Sequence, residues 1–148
     1  MTDKQSVLDV EERQLVPAYG YDLLRQDVLP ELLGEDEAVI LYWAGKALAR
    51  KKMKDVESVG IENFFNHANW GKIKQIKEKG EEKVYELTAT HQNKDRPFSL
   101  EAGFLAQITE NEKALISEAS FSIKKKKPLT VSITVRWDRK DPTREIEL

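Results

Sequence analysis

The sequence predicts an α+β fold: a twisted four-stranded antiparallel sheet covered on one face by helices, in the order ααα-ββ-α-ββ. Three observations carry this. Residues 38–49, AVILYWAGKALA, are apolar on nearly every side of a helix, with Lys46 the only charge, which is the pattern of a buried helix. Leu129, Val131, Ile133, Val135 and Trp137 alternate without exception with Thr130, Ser132, Thr134 and Arg136, the signature of a strand with one buried and one wet face. Lys79-Gly80-Glu81 separates two further alternating runs and reads as a hairpin turn.

Taken in order, residues 1–18 are polar with scattered Val and Leu and read as an N-terminal arm, partly ordered or a short helix. Tyr21, Leu24, Val28 and Leu32 then share one helical stripe, with Leu29 beside it. Pro30 removes a backbone donor inside that pattern, which predicts a kink or break near Val28. Gly34 suits the helix stop and Asp36 the N-cap of the next helix. A join this short makes the two helices antiparallel neighbours. Ile40, Leu41, Ala44, Ala47 and Leu48 share one face of residues 38–49, and Ile40, Ala44 and Leu48 are expected to pack on Leu24 and Val28. Ala44, Gly45 and Ala47 leave room for a close partner, and the positive charges at residues 50–54 suit a helix C-terminus.

Residues 55–66 read as one shorter helix, with Val56, Val59 or Gly60, and Phe64 toward the core. Asn69-Trp70-Gly71 ends it. Strands follow at 71–77 and 83–90, with Tyr85, Leu87 and Ala89 on one face. After a polar loop at 91–97, Ser99 is placed to cap a helix running to about Lys113, whose apolar side is Leu100, Phe104, Leu105 and Ile108. Gly103 lies mid-helix, where glycine costs about 1 kcal/mol against alanine, so the sheet or the 38–49 helix is expected to approach its backbone. Strands at 116–124 and 129–137 close the sheet, the first with Ala119, Phe121 and Ile123 on one face. Order is expected to fade from Asp138. Residues 19–142 thus form a single domain, with 143–148 a tail.

The 148 residues are enough for one core. A net charge of −2 and a pI near 5.8 give no overall pull toward nucleic acid or anionic membrane. The chain has no cysteine, which removes disulfides, thiol nucleophiles, iron–sulfur sites and Cys-based zinc sites. The polar, acidic N-terminus does not read as a signal peptide. The longest apolar run is too short to span a bilayer. A cytoplasmic location is expected.

Four stretches carry a resemblance: YGYDLLRQDVLPELLGEDEAVILYWAGKALARK (residues 19–51), NWGKI (69–73), FSLEAGFLAQ (98–107) and VSITVRWDRKDP (131–142). They resemble the bacterial YslB family, whose function is not established, over nearly the whole of residues 19–142. The element order, and the Gly-Phe-Leu helix between hairpins, also resemble the four-vinyl-reductase-type small-molecule-binding domains and the TRAPP vesicle-tethering subunits. More remotely they resemble haem nitric-oxide sensors. That resemblance implies helices on one face of a twisted four-stranded sheet, with an apolar cavity between the layers. The cysteines that such folds use for metal or acylation have no counterpart here, so no catalytic residue is carried over.

Catalytic motifs are missing: no Gly-rich phosphate loop, no G-x-S-x-G, no H-E-x-x-H. Glu101, beside apolar neighbours, would be a general acid if buried. Its ordinary position is an exposed first-turn carboxylate favoured by the helix dipole. His67, near Phe64, Phe65 and Trp70, has surroundings that suit an axial haem ligand, but a surface histidine at a helix C-terminus is by far the commoner meaning of a single such residue. His91 sits at a loop edge. Lys124 to Lys127 would make a basic patch with Lys72, Lys74, Lys77 and Lys79 if the two hairpin tips lay together. A solvated turn is the commoner meaning of such a run. Tyr42, Trp43, Phe65, Tyr85, Phe104, Phe121 and Ile133 are the candidates to line a pocket between helices and sheet, with Tyr42 and Tyr85 as its polar groups.

The reading is a non-enzymatic cytoplasmic binding module that holds a small apolar ligand between helices and sheet. The alternative is an adaptor with a filled core, acting as a homodimer or on a partner protein. No cofactor, metal or nucleic acid is expected.

Overall fold

The computed structural model describes residues 16–143. The expected arm up to residue 15 and the tail from residue 144 lie outside the described residues. The elements are α1 (Ala18–Leu23), a π-helical turn (Leu24–Val28), α2 (Leu29–Leu33), a 3-10 turn (Gly34–Asp36), α3 (Glu37–Lys51), α4 (Met53–Val59), α5 (Ile61–His67), β1 (Lys72–Lys79), β2 (Glu82–Thr88), α6 (Ser99–Lys113), β3 (Leu115–Lys126) and β4 (Leu129–Pro142). The strands form one sheet in the order β1-β2-β4-β3, every neighbouring pair antiparallel. The fold is α+β, as the hydrophobic periodicity requires.

Several expectations change at the element ends. Pro30 has no N–H to give the Gln26 carbonyl, and the chain answers with the wider π turn just before it instead of breaking. Asp36 stands at the N-cap of α3 and Phe98 at that of α6, and neither makes a side-chain cap bond. Ser99 is instead the buried first residue of its helix. The strand β4 runs on through Asp138 to Pro142, because β3 is long enough to pair with it: Leu115 lies opposite Pro142, and the Thr143 N–H donates to the Ala114 carbonyl at 3.1 Å.

The helix enclosed on all sides is α6, not residues 38–49. Glu101 through Gln107 are buried without interruption, and Thr109 with them. Helix α3 buries Leu41, Gly45, Lys46 and Ala49, a stripe one residue removed from the expected Ile40, Ala44 and Leu48. Its other side faces outward, with Val39 60% and Trp43 59% exposed. Leu24 and Val28 are exposed too. The partner of α3 is α6 rather than the first helix, and two glycines make the crossing. A Cβ on Gly103 would stand 2.0 Å from the Tyr42 carbonyl oxygen, and one on Gly45 would stand 2.1 Å from that of Leu100. Close approach at Gly103 was the sequence expectation, and the 38–49 helix is what approaches it.

Helix α3 also protects the edge of the sheet. β3 is an edge strand, whose unpaired backbone groups would otherwise template pairing with another chain. The Ala119 N–H donates to the Tyr42 hydroxyl at 3.0 Å. Lys46 Nζ donates to the Ser117 carbonyl at 3.2 Å, and the Ser117 N–H donates to Glu110 at 3.1 Å. Lys46 also pairs with Glu110 at 3.3 Å. The single charge of the apolar stretch is buried because it fastens a helix to a strand. Tyr42→Phe leaves that strand N–H without its acceptor and is expected to cost about 1 kcal/mol. Hydrogen exchange should show Ala119 deprotected more than its strand neighbours.

Between sheet and helices the core joins Leu87, Val131, Ile133 and Val135 to Phe98, Ala102, Phe104 and Leu105. Phe65 and Trp70 meet Phe104 edge-on, with ring centroids 5.9 and 5.1 Å away, and Phe64 stacks on it at 5.0 Å. The hairpin tips do not converge. Glu82 lies opposite Arg136 while Thr88 lies opposite Thr130, so the 80–81 turn and the 127–128 turn sit at opposite ends of the sheet. The lysines of the two hairpins therefore do not make one tip-to-tip patch. Lys124 reaches across to Glu86 instead.

Candidate functional site

A cleft of about 430 Å³ opens between α4, α5, the C-terminal part of α6 and the strands β1 and β2. Local backbone features create it. Gly60, at φ 86° and ψ 154°, adopts a conformation open mainly to glycine, and it divides the expected single helix at 55–66 into α4 and α5. On the facing side the register of β1 shifts between Gln75 and Lys77, a bulge that bends an edge strand. Val56, Ile61, Ile73 and Ile108 wall the cleft, with Met53. Lys83, Tyr85, Asn111 and Glu112 form one polar group in its lining, and Glu57, Glu62, Lys74 and Gln75 line it as well.

Lys83 is buried because it shares the inner face of β2 with Tyr85 and Leu87, and its ammonium reaches Glu112 at 2.9 Å. Burial, the largest influence, pulls the Lys83 ammonium down, but the bond to Glu112 and the charges around it prevail and leave it raised. Burial pushes the Tyr85 phenol up, against the opposing charge of Lys83. At neutral pH this part of the cleft therefore holds a charged ammonium, paired with Glu112, and a protonated hydroxyl.

A second polar centre lies at the other end of α6. Glu101 is 0% exposed, which overturns the expectation of an exposed first-turn carboxylate: its helix is covered on that side too. Arg25 Nη2 donates to both Glu101 oxygens at 3.2 Å, and Arg96 Nη2 to Oε2 at 2.9 Å. Arg25 Nη1 donates to the Tyr21 hydroxyl at 2.6 Å. His91 stacks on Phe98 with centroids 5.6 Å apart, and its Nδ1 accepts the Asn93 N–H at 3.0 Å. Burial, then the charges of Arg96 and Arg25, press the imidazole down to about 4.

That value carries a pH prediction. Unfolded His91 gains a proton near its ordinary value of about 6.5, whereas folded His91 does so near 4. As pH falls across that window the unfolded state binds the extra proton, so stability is lost on acidification. His91→Asn preserves an acceptor for the Asn93 N–H and removes the titration. Denaturant titrations at pH 7 and pH 5 should show a smaller loss for the variant than for the wild type.

The seven sequence-predicted pocket residues do not gather around one cavity. Tyr85 lines the cleft. Tyr42 and Trp43 line a shallow groove of about 390 Å³ beside Glu118 and Ala119. Phe65, Phe104 and Ile133 are wholly buried in the core, while half-buried Phe121 meets Phe98 edge-on. His67 ends α5, half-buried. Sequence reasoning missed Lys83, although its parity with Tyr85 and Leu87 put it on the inner face. It also missed Arg25 and Arg96, which only the tertiary fold brings together. Among the described residues no group of three or more His, Asp and Glu side chains is placed to hold a metal. No helix among them is long and apolar enough to cross a membrane.

Such a helix layer over a four-stranded sheet is found in a vinyl-4-reductase family protein from Methanocaldococcus jannaschii. Its crystal structure matches with a TM-score of 0.54 over 84% of this chain and 83% of that one. The sequences are 18% identical, so the likeness is one of fold. The chain belongs to the family described as protein of unknown function (DUF2507), which matches residues 18–136. It is 39% identical over 133 residues to the uncharacterized protein YslB of Bacillus subtilis (strain 168), covering 84% of this chain and 87% of that protein.

Proposed function

We propose that the chain is a non-enzymatic binding module whose cleft holds a small, mostly apolar molecule with one hydrogen-bonding end. The observation that supports this is the cleft itself: about 430 Å³, within the roughly 300–1,000 Å³ of small-molecule sites. Met53, Val56, Ile61, Ile73 and Ile108 give it an aliphatic surface, and Lys83 and Tyr85 stand among its polar lining residues. The test is thermal denaturation with a series of straight-chain alcohols and fatty acids. A ligand that binds the folded state raises the melting temperature with its concentration. Ile108→Trp fills the cleft and should abolish that rise while leaving the fold intact. No rise with any member, or the same rise in Ile108→Trp, counts against the reading.

A second reading, an adaptor that pairs with another copy of itself, is favoured by one observation. Leu24, Val28 and Leu32 on the first helical segment and Val39, Ile40 and Trp43 on α3 are all exposed. Exposed apolar side chains in this number are suited by a partner of the same character, and a second copy on a two-fold axis supplies one. Sedimentation equilibrium should then find a dimer that Trp43→Glu dissociates, and a monomeric wild type would exclude it.

A further inference from the structure

The buried centre around Glu101 is unbalanced in charge and in hydrogen bonds. Arg25 and Arg96, 3% and 4% exposed, face one carboxylate, so among the described residues two positive charges against one negative leave an excess of +1. Such an excess is expensive away from water. The hydrogen-bond inventory points the same way. Arg25 Nε, Arg96 Nε, Arg96 Nη1 and His91 Nε2 are buried without a partner among the described residues. Because His91 Nδ1 accepts the Asn93 N–H, the proton of the neutral ring sits on Nε2. All four unpartnered positions are therefore donors.

Water, which both donates and accepts, would leave the charge unbalanced. An oxyanion supplies several acceptor oxygens together with the missing charge. Phe98 serves Arg96 and His91 together: the Arg96 guanidinium lies 5.7 Å from its ring centroid and the imidazole is stacked on it. His91 and Asn93 are only half-buried, so the loop side of the centre lies near solvent. We propose that Arg96 and His91 form a binding site for a small oxyanion, a carboxylate or a phosphate group, distinct from the cleft at the other end of α6.

The test uses the wild-type chain labelled with nitrogen-15, titrated separately with inorganic phosphate and with acetate at ionic strength held constant by chloride. Saturable shifts are expected at the Arg96 Nε–H and His91 Nε2–H resonances with at least one of the two. Phosphate alone would assign a phosphoryl ligand and acetate alone a carboxylate. Arg96→Gln should weaken the apparent affinity at least tenfold, and His91→Phe provides the same comparison should Arg96→Gln fail to fold. Ile108→Trp, which blocks the cleft, should leave the response unchanged, so the two sites succeed or fail separately. Non-saturating shifts with both anions, or equal affinity in both Arg96→Gln and His91→Phe, would overturn the proposal.

Discussion

Gly103→Ala should destabilise the domain by about 3 kcal/mol, toward the upper end of ordinary overpacking penalties, lowering the melting temperature by roughly 10 °C. An alanine in a helix interior normally gains about 1 kcal/mol over glycine. Here the new Cβ would stand 2.0 Å from the Tyr42 carbonyl oxygen, with the Tyr42 carbonyl carbon and Cα next nearest. Backbone cannot swing aside as a side chain can, so the helices must separate. Separation strips the contact that buries Leu41, Gly45 and Ala49. Gly45→Ala should behave alike, since its Cβ would meet the Leu100 carbonyl at 2.1 Å. Gly20→Ala is the control: nothing lies within 4 Å of its Cβ, and the variant should match or exceed wild type. Thermal melts of the three variants decide the matter, and a Gly103→Ala at or above wild type would mean that α3 and α6 do not cross there.

Glu101→Gln should cost about 3–5 kcal/mol, the range for removing one partner of a buried ion pair. The amide keeps the shape but leaves Arg25 and Arg96 buried with no compensating charge. The wild-type arrangement need not be a net gain over an apolar core. The triple variant Arg25→Met, Arg96→Met, Glu101→Leu should therefore regain most of what Glu101→Gln loses. Denaturant titrations of the two would show it. If Glu101→Gln is neutral, the carboxylate does not hold the arginines.

The architecture was legible because it rests on local periodicity. The alternation from Leu129 to Trp137 and the turn at Gly80 need no tertiary information, and Gly103 announced a close contact by being costly where it stands. What failed depended on which neighbour each helix meets. Residues 38–49 look more buried than residues 99–113 because hydrophobicity reports which faces can be buried, not which are. The carboxylate of Glu101 and the amide of Gln107 hide how completely α6 is enclosed, since buried polar groups with partners carry no periodic signal. The cleft was misplaced for a related reason. Aromatic residues such as Phe65 and Phe104 fill space and become core, whereas the opening arises from a glycine break at Gly60 and a bulge after Gln75, both backbone features.

The binding role of the cleft is tested most directly by native mass spectrometry of the chain purified from its own host, beside Ile108→Trp prepared identically. A ligand fitting about 430 Å³ has a mass on the order of a few hundred daltons. The account predicts a wild-type species heavier by that amount, which collisional activation releases, and a bare Ile108→Trp chain. A wild type at its bare mass, or the same adduct on both proteins, would contradict it.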